Sequence, residues 1–324
     1  MTDRYLVPPL GGLATAVSTI TGQEVVETLW AIDQLSRVAA FTLADGAEVV
    51  AKARPWEPRL EACGRAQSKA AASGIPCPRP MGSATIDGWA VAVEEHLPGG
   101  DPRPVQETGI QVLVDLCLAL DDAVGDLAEA EDVDPGTGRV QPVPPPWADP
   151  LHTGPEAWPA RDTRLPDLRE DKTVPWLWDA AERVRRRVAE ASGPLRVGHL
   201  DLYTSNLRWR SGQHVGLDTL VSVDDWDSFG ALPETLLIGQ TAGVFTTTRE
   251  PFTGPTTAQT REFLERWLAT SQRTWSRDEW ELAWAAGLWT RIFDGQDGLA
   301  HGNSARRLEH AKPSIEERLA LAGA

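Results

Sequence analysis

Residues 197–227 read VGHLDLYTSNLRWRSGQHVGLDTLVSVDDWD. They contain His199-x-Asp201-x-x-x-x-Asn206, a short β-like passage, and then Asp224-Asp225-Trp226-Asp227 after the apolar run Leu220-Val221-Ser222-Val223. A loop with a carboxylate five residues before an asparagine, followed by a hairpin ending in another aspartate, suits metal-assisted phosphoryl transfer. One aspartate accepts or orients the proton of an attacking hydroxyl. The asparagine amide oxygen and the second aspartate hold Mg²⁺, a hard cation that takes oxygen ligands and bridges phosphates. Composition alone puts Asp at +2 and Asn at +7 of any His in this chain only roughly a few times in a thousand. An Asx-rich loop that merely caps helices is the alternative use of these residues. His199 reads as an internal hydrogen-bonding strut rather than a proton carrier.

Upstream of this stretch, Lys52 lies in Val49-Val50-Ala51-Lys52-Ala53. An ammonium inside an apolar strand is costly unless paired. The chain is sparing with lysine, which occurs only at 52, 69, 172 and 312 among 31 Lys and Arg residues, and asparagine occurs only at 206 and 303. A lysine in so arginine-rich a chain suggests a need for a compact point charge that can meet phosphates. Glu61, on the following helix, is the ion-pair partner expected for it. Glu57, ahead of Pro58, is the rival, and an edge-strand lysine facing solvent is the plain reading.

The pattern around these motifs changes once. Segments 24–31, 36–43 and 47–53 are β-like, and Asp45-Gly46 joins the second and third as a tight hairpin. Asp87-Gly88 joins 83–86 to 89–93, and 58–73 is a helix closed by Gly74 and Pro76. Beyond Pro98-Gly99-Gly100 the period becomes helical. Helices are predicted over 105–129, around Leu177, Ala181, Val184 and Val188, and over 257–275, 277–293 and 304–322. Trp267, Trp280, Trp284 and Trp289 fall at core positions of the last group. Residues 134–175, rich in Pro, read as an irregular excursion that is either mobile or draped over the surface.

His199-Leu200-Asp201-Leu202-Tyr203-Thr204-Ser205-Asn206 and Asp225-Trp226-Asp227 resemble the aminoglycoside phosphotransferase and choline-kinase-like family. These are small-molecule kinases of two-lobed, protein-kinase-like α+β fold, and the resemblance runs from about residue 24 to 292. It implies a small antiparallel-sheet lobe with one helix over residues 1–96 and a larger, mainly helical lobe over 97–324, with 134–175 inserted. It implies Asp201 as catalytic base, Asn206 and Asp225 as Mg²⁺ ligands, and Lys52 on the α/β-phosphates of ATP. Asp224 competes with Asp225, because the double aspartate leaves a one-residue ambiguity. Glu94-Glu95-His96-Leu97-Pro98-Gly99 falls at the interlobe hinge, where backbone groups at Glu95 and Leu97 would pair with adenine. Two departures stand out. Leu200 replaces the glycine the family has after its histidine, and the phosphate-covering turn, Asp33-Gln34-Leu35-Ser36-Arg37, contains no glycine. Ser36 and Arg37 would have to supply its donors.

Composition narrows the partners. The 324 residues are 41% hydrophobic and 24% charged, with a net charge of −16. A surface this negative repels nucleic acid and attracts cations. No apolar run reaches membrane-spanning length, the start lacks the pattern of a secretory leader, and three irregularly spaced cysteines suggest neither disulfides nor a zinc site. The expectation is a cytoplasmic protein whose oligomeric state stays open. Ala231-Leu232-Pro233-Glu234 follows Asp227 after only three residues, leaving no room for a peptide-docking segment. The acceptor is therefore expected to be a small hydroxyl compound, cationic such as an aminoglycoside or other amino alcohol, with Asp227 and Glu234 near its pocket. A catalytically silent nucleotide- or metabolite-binding protein on the same scaffold is the alternative.

Overall fold

Short alternating segments closed by Asp-Gly turns build the first layer. In the computed structural model, which describes residues 8–33, 36–103, 109–127, 142–160, 166–249, 252–302 and 304–324, five strands form one antiparallel sheet. They are β1 (Val25–Asp33), β2 (Arg37–Leu43), β3 (Glu48–Pro55), β4 (Pro80–Ile86) and β5 (Trp89–Glu95), in the order β1-β2-β3-β5-β4. At the β4–β5 turn Asp87 and Gly88 take φ of 49° and 80°, the left-handed pair that a two-residue hairpin needs. Helix α1 (Leu10–Thr21), for which the sequence reading made no provision, lies on one face of the sheet. Its Leu13, Ala16 and Val17 pack on Ala39, Phe41, Val49, Ala51, Ala53, Val91 and Val93. The strand period of two then turns Val50, Lys52 and Arg54 of β3 to the opposite face.

Helix α2 (Arg59–Ala72) connects β3 to β4. Its buried stripe of Arg59, Ala62, Cys63, Ala66, Gln67 and Ala70 follows the helical period. Cys63, Ala66 and Ala70 join the core of the helical lobe, not that of the sheet. This lobe holds α3 (Ile110–Val124), α4 (Pro175–Val188), α5 (Glu234–Val244), α6 (Thr257–Ser271) and α7 (Arg277–Ala300), followed by α8 (Ser304–Ala311) and α9 (Ile315–Leu321). The single helix expected over 304–322 is broken at Lys312-Pro313-Ser314, because a proline lacks the N–H and crowds the preceding turn. Helices α5 and α7 meet backbone to backbone. A Cβ on Gly239 would overlap the main chain of Ala283, and one on Gly243 that of Gly287.

The described part of the 134–175 excursion is draped and packed rather than loose. Trp158 is 1% exposed, with its ring 5.7 Å from Trp289 and 6.0 Å from Trp178. Gln240 and Trp289 donate to the carbonyls of Ala148 and Trp147. Trp267, Trp284 and Trp289 are buried and Trp280 packs against the same core. Among the described residues no helix is long and apolar enough to cross a membrane.

Candidate functional site

Two short ladders hold the motif. Strand β6 (Leu195–His199) pairs with β9 (Phe229–Pro233), and β7 (Leu207–Trp209) with β8 (Leu220–Val223). The loop between β6 and β7 therefore lies beside the loop between β8 and β9. Backbone bonds tie them: Leu200 N–H to Ser228 O at 2.9 Å, and Asp224 N–H to Asn206 O at 2.8 Å. His199 is the strut between them. Its Nδ1 accepts from the Asp201 N–H at 3.1 Å, so Nε2 carries the proton and donates to Asp224 O at 2.9 Å. Burial lowers its pKa, which keeps the ring neutral, as that pattern requires. Leu200, where the family pattern has glycine, is fully buried. The room it needs is made at Gly230, where a Cβ would overlap the Leu200 side chain.

Asn206 turns its amide nitrogen to Asp201, donating to the carbonyl at 2.8 Å and to Oδ2 at 3.2 Å. Its amide oxygen is thereby left on the other side, facing away from the aspartate. Asp225 takes φ 64° and ψ 48°, a left-handed conformation that aspartate tolerates better than most residues. That turn sends the two neighbouring carboxylates different ways. Asp224 is bound by Arg208 (Nε to Oδ2 2.8 Å) and by the Ser222 hydroxyl at 2.6 Å. Asp225 instead stands 3.8 Å from Arg54. Burial pushes its pKa up, but the charges of Lys52 and Arg54 together with the Ser228 hydroxyl and the neighbouring groups hold it below the usual carboxylate range. Asp224 is thus committed to Arg208, and Asp225 lies toward the cations of β3, Arg54 and Lys52.

The partner of Lys52 differs from expectation. Lys52 Nζ is 3.0 Å from Oε1 of Glu94 on β5, and Glu61 is exposed. Glu61 lies off the buried stripe of α2, so the helical phase that docks Ala62 and Ala66 turns it to solvent. Glu57 pairs with Arg59 at 2.6 Å. Sequence reading placed Glu94 only in the hinge run and did not single out Gln67, although Glu94 follows directly on the apolar run 89–93 and is 7% exposed.

The phosphate turn and hinge also differ from expectation in their partners. Gln34 and Leu35 lie outside the described residues, and Ser36 is half-buried at the start of β2. Arg37 grips both carboxylate oxygens of Asp33 at 2.6 Å and donates to Pro8 O, so its guanidinium is engaged at the ends of the turn. At the hinge the exposed Glu95 spends its N–H on Arg79 O at 2.9 Å. The Leu97 carbonyl accepts from Arg208 at 2.8 Å. Among the described residues the Leu97 N–H has no backbone acceptor, which leaves it for a ligand. Beside it, Trp30 stands edge-on to His96, with centroids 6.4 Å apart, and offers an aromatic face that sequence reasoning did not single out. Asp227 and Glu234, expected to approach a cationic acceptor, are already neutralised by Arg54 and Arg273. The short β9, buried throughout, runs directly into α5 and leaves no peptide-docking segment.

Mg²⁺ takes one or two protein oxygens and completes its octahedron with phosphates and water. The Asn206 amide oxygen and the Asp225 carboxylate are hard donors that fit that habit. Among the described residues, no three His, Cys, Asp or Glu side chains gather as a metal cage.

A family model described as the phosphotransferase enzyme family matches residues 30–217, more than half of the chain. Solved structures agree on the fold. Aminoglycoside phosphotransferase APH(4)-Ia superposes with a TM-score of 0.58 at 12% identity, over 97% of this chain and 99% of that one. A thermostable mutant of the same enzyme, crystallised with ADP and hygromycin B, gives 0.55 at 11% identity over 96% and 97%. A fructosamine-3-kinase-like protein from Haemophilus somnus 129PT gives 0.58 at 13% identity over 95% and 96%. No curated protein matches the sequence significantly.

Proposed function

The chain belongs to the phosphotransferase enzyme family, and we propose that it moves the terminal phosphoryl group of ATP to a hydroxyl of a small molecule. The observation that carries this reading is the convergence of Asp201, Asn206 and Asp225 on adjoining loops, with Asp225 beside Arg54 and within the field of Lys52. Residues 1–96 act as the nucleotide lobe and 97–324 as the lobe that carries the catalytic loop and the acceptor. Lys52 neutralises phosphate oxygens from the strand above. Asn206 and Asp225 would hold Mg²⁺, which when bound supplies charge neutralisation at the phosphates. Asp201 orients the acceptor hydroxyl and takes its proton, and the Asn206 amide fixes the carboxylate for that task through Oδ2. Positioning and electrostatics supply most of the catalysis in such a site.

The acceptor class follows from charge. A protein of net charge −16 concentrates cations in its clefts, and relatives of this fold include one bound to hygromycin B and one described as a fructosamine-3-kinase. An amino alcohol or amino sugar is the acceptor we favour, although Asp227 and Glu234 are not its counter-ions. Release of ADP with Mg²⁺ and a panel of aminoglycosides, glycated amines and neutral sugars tests the assignment. Stimulation by the cationic members, weakening as salt rises, supports it. Stimulation by neutral sugars alone removes the cationic acceptor and leaves the transferase.

One observation favours a second reading, a silent nucleotide-binding protein. The phosphate turn has no glycine and its Arg37 is spent on Asp33. ATP binding with no ADP release across the panel would select it.

A further inference from the structure

A lysine that meets phosphates has to be held, and the element that carries its carboxylate decides what can release it. Lys52 is 15% exposed at its side chain, so its ammonium needs a partner. On β5, Glu94 stands opposite Val50, one diagonal step from Lys52 in the β3–β5 ladder. One of its oxygens lies 3.0 Å from Lys52 Nζ. The other accepts at 2.8 Å from Nε2 of Gln67 on α2. The same nitrogen donates to Pro78 O at 2.9 Å, so both its protons are used and the amide cannot turn. Glu94 and Gln67 are 7% and 6% exposed. Helix α2 is itself fixed on the helical lobe through Cys63, Ala66 and Ala70, and through Arg59, which donates to Asp227 O.

We propose that Glu94 is the positioning residue for Lys52 and that Gln67 is the clamp that orients Glu94, so the lysine is set from within the sheet, by the strand that leads into the hinge. The proposal rests on Lys52 meeting nucleotide phosphates. A carboxylate on a helix withdraws whenever the helix swings out. One on β5 cannot move without breaking its ladder with β3. Lys52 therefore takes its carboxylate from the sheet, and helix α2 reaches the pair only through the Gln67 amide.

The test measures binding of ATP and of adenosine to the full chain by calorimetry, for wild type, Glu94→Gln, Gln67→Leu and Glu61→Gln. Glu94→Gln keeps the shape and removes the charge. It should weaken ATP about tenfold and leave adenosine, which has no phosphates, unchanged. Gln67→Leu should weaken ATP about threefold with adenosine again unmoved, and Glu61→Gln should match wild type. A merely structural role would shift both ligands together. ATP affinity within twofold of wild type in folded Glu94→Gln, or a loss confined to Glu61→Gln, overturns the proposal. If Glu94→Gln does not fold, Glu94→Asp and Gln67→Leu carry the same comparison. A wild type that binds no nucleotide refutes the proposed function instead. The pairing is then decided by an unfolding cycle of Lys52→Met with Glu94→Gln: strictly additive losses overturn it and clear coupling sustains it.

Discussion

Arg208 joins three parts of the site, and replacing it with methionine is the sharpest perturbation of the fold around the motif. The guanidinium donates to Asp224 at 2.8 and 3.4 Å, to Leu97 O at 2.8 Å and to Gly99 O at 2.7 Å. Methionine keeps much of the aliphatic stem and loses all of these bonds. Breaking a buried ion pair costs ~3–5 kcal/mol, and hydrogen bonds to a charged group ~1.5–3 each. Here the two side chains are 21% and 29% exposed, so water recovers part of the loss. The Ser222 hydroxyl still serves Asp224. We expect Arg208→Met to cost ~2–4 kcal/mol, which at ~2 °C per kcal/mol for a chain of this size lowers the melting midpoint by ~4–8 °C. Urea unfolding of Arg208→Met, Asp224→Ala and the double variant measures the coupling, expected at ~1 kcal/mol or more. A midpoint within ~1 °C of wild type, with additive losses, would show that the Arg208 clamp does not hold the hinge to the motif.

The other expectations concern single groups. Asp201→Asn should cut turnover by ~10²–10⁴ with nucleotide affinity nearly unchanged, the scale of a lost general base; steady-state kinetics near wild type would remove Asp201 from the mechanism. Asp225→Ala should abolish Mg²⁺-dependent nucleotide binding in calorimetry, whereas Asp224→Ala should retain it and lose stability through Arg208, and the reverse pattern would exchange their roles. His199, with a pKa lowered by burial from its ordinary 6.5, binds a proton more readily unfolded than folded. Stability should therefore fall as pH drops below about 6.5, and this part of the pH dependence should vanish in His199→Gln. Equal pH slopes in the two proteins would contradict a neutral strut.

The sequence by itself determined the local chemistry. Asp45-Gly46 and Asp87-Gly88 placed two hairpins, the second a two-residue turn with both residues left-handed and the first a four-residue loop in which Gly46 supplies the left-handed φ. The helical period placed α2 and the long helices, and the spacing of His199, Asp201, Asn206 and Asp225 marked the site. Helix α1 went unread although Leu10, Leu13, Val17 and Ile20 carry its stripe. Tertiary structure decided which charges meet. Glu94 rather than Glu61 reaches Lys52, because the β3–β5 register brings the one across while the phase of α2 turns the other to solvent. Asp225 rather than Asp224 meets the cations of β3, because one left-handed residue separates neighbouring carboxylates and Arg208 claims the first. Asp227 and Glu234 are neutralised by arginines 173 and 39 residues away in the chain, Arg54 and Arg273. A pattern read along the chain fixes what a residue can do over a few neighbours. Its partner depends on strand register and helix phase between distant segments, which local periodicity does not encode.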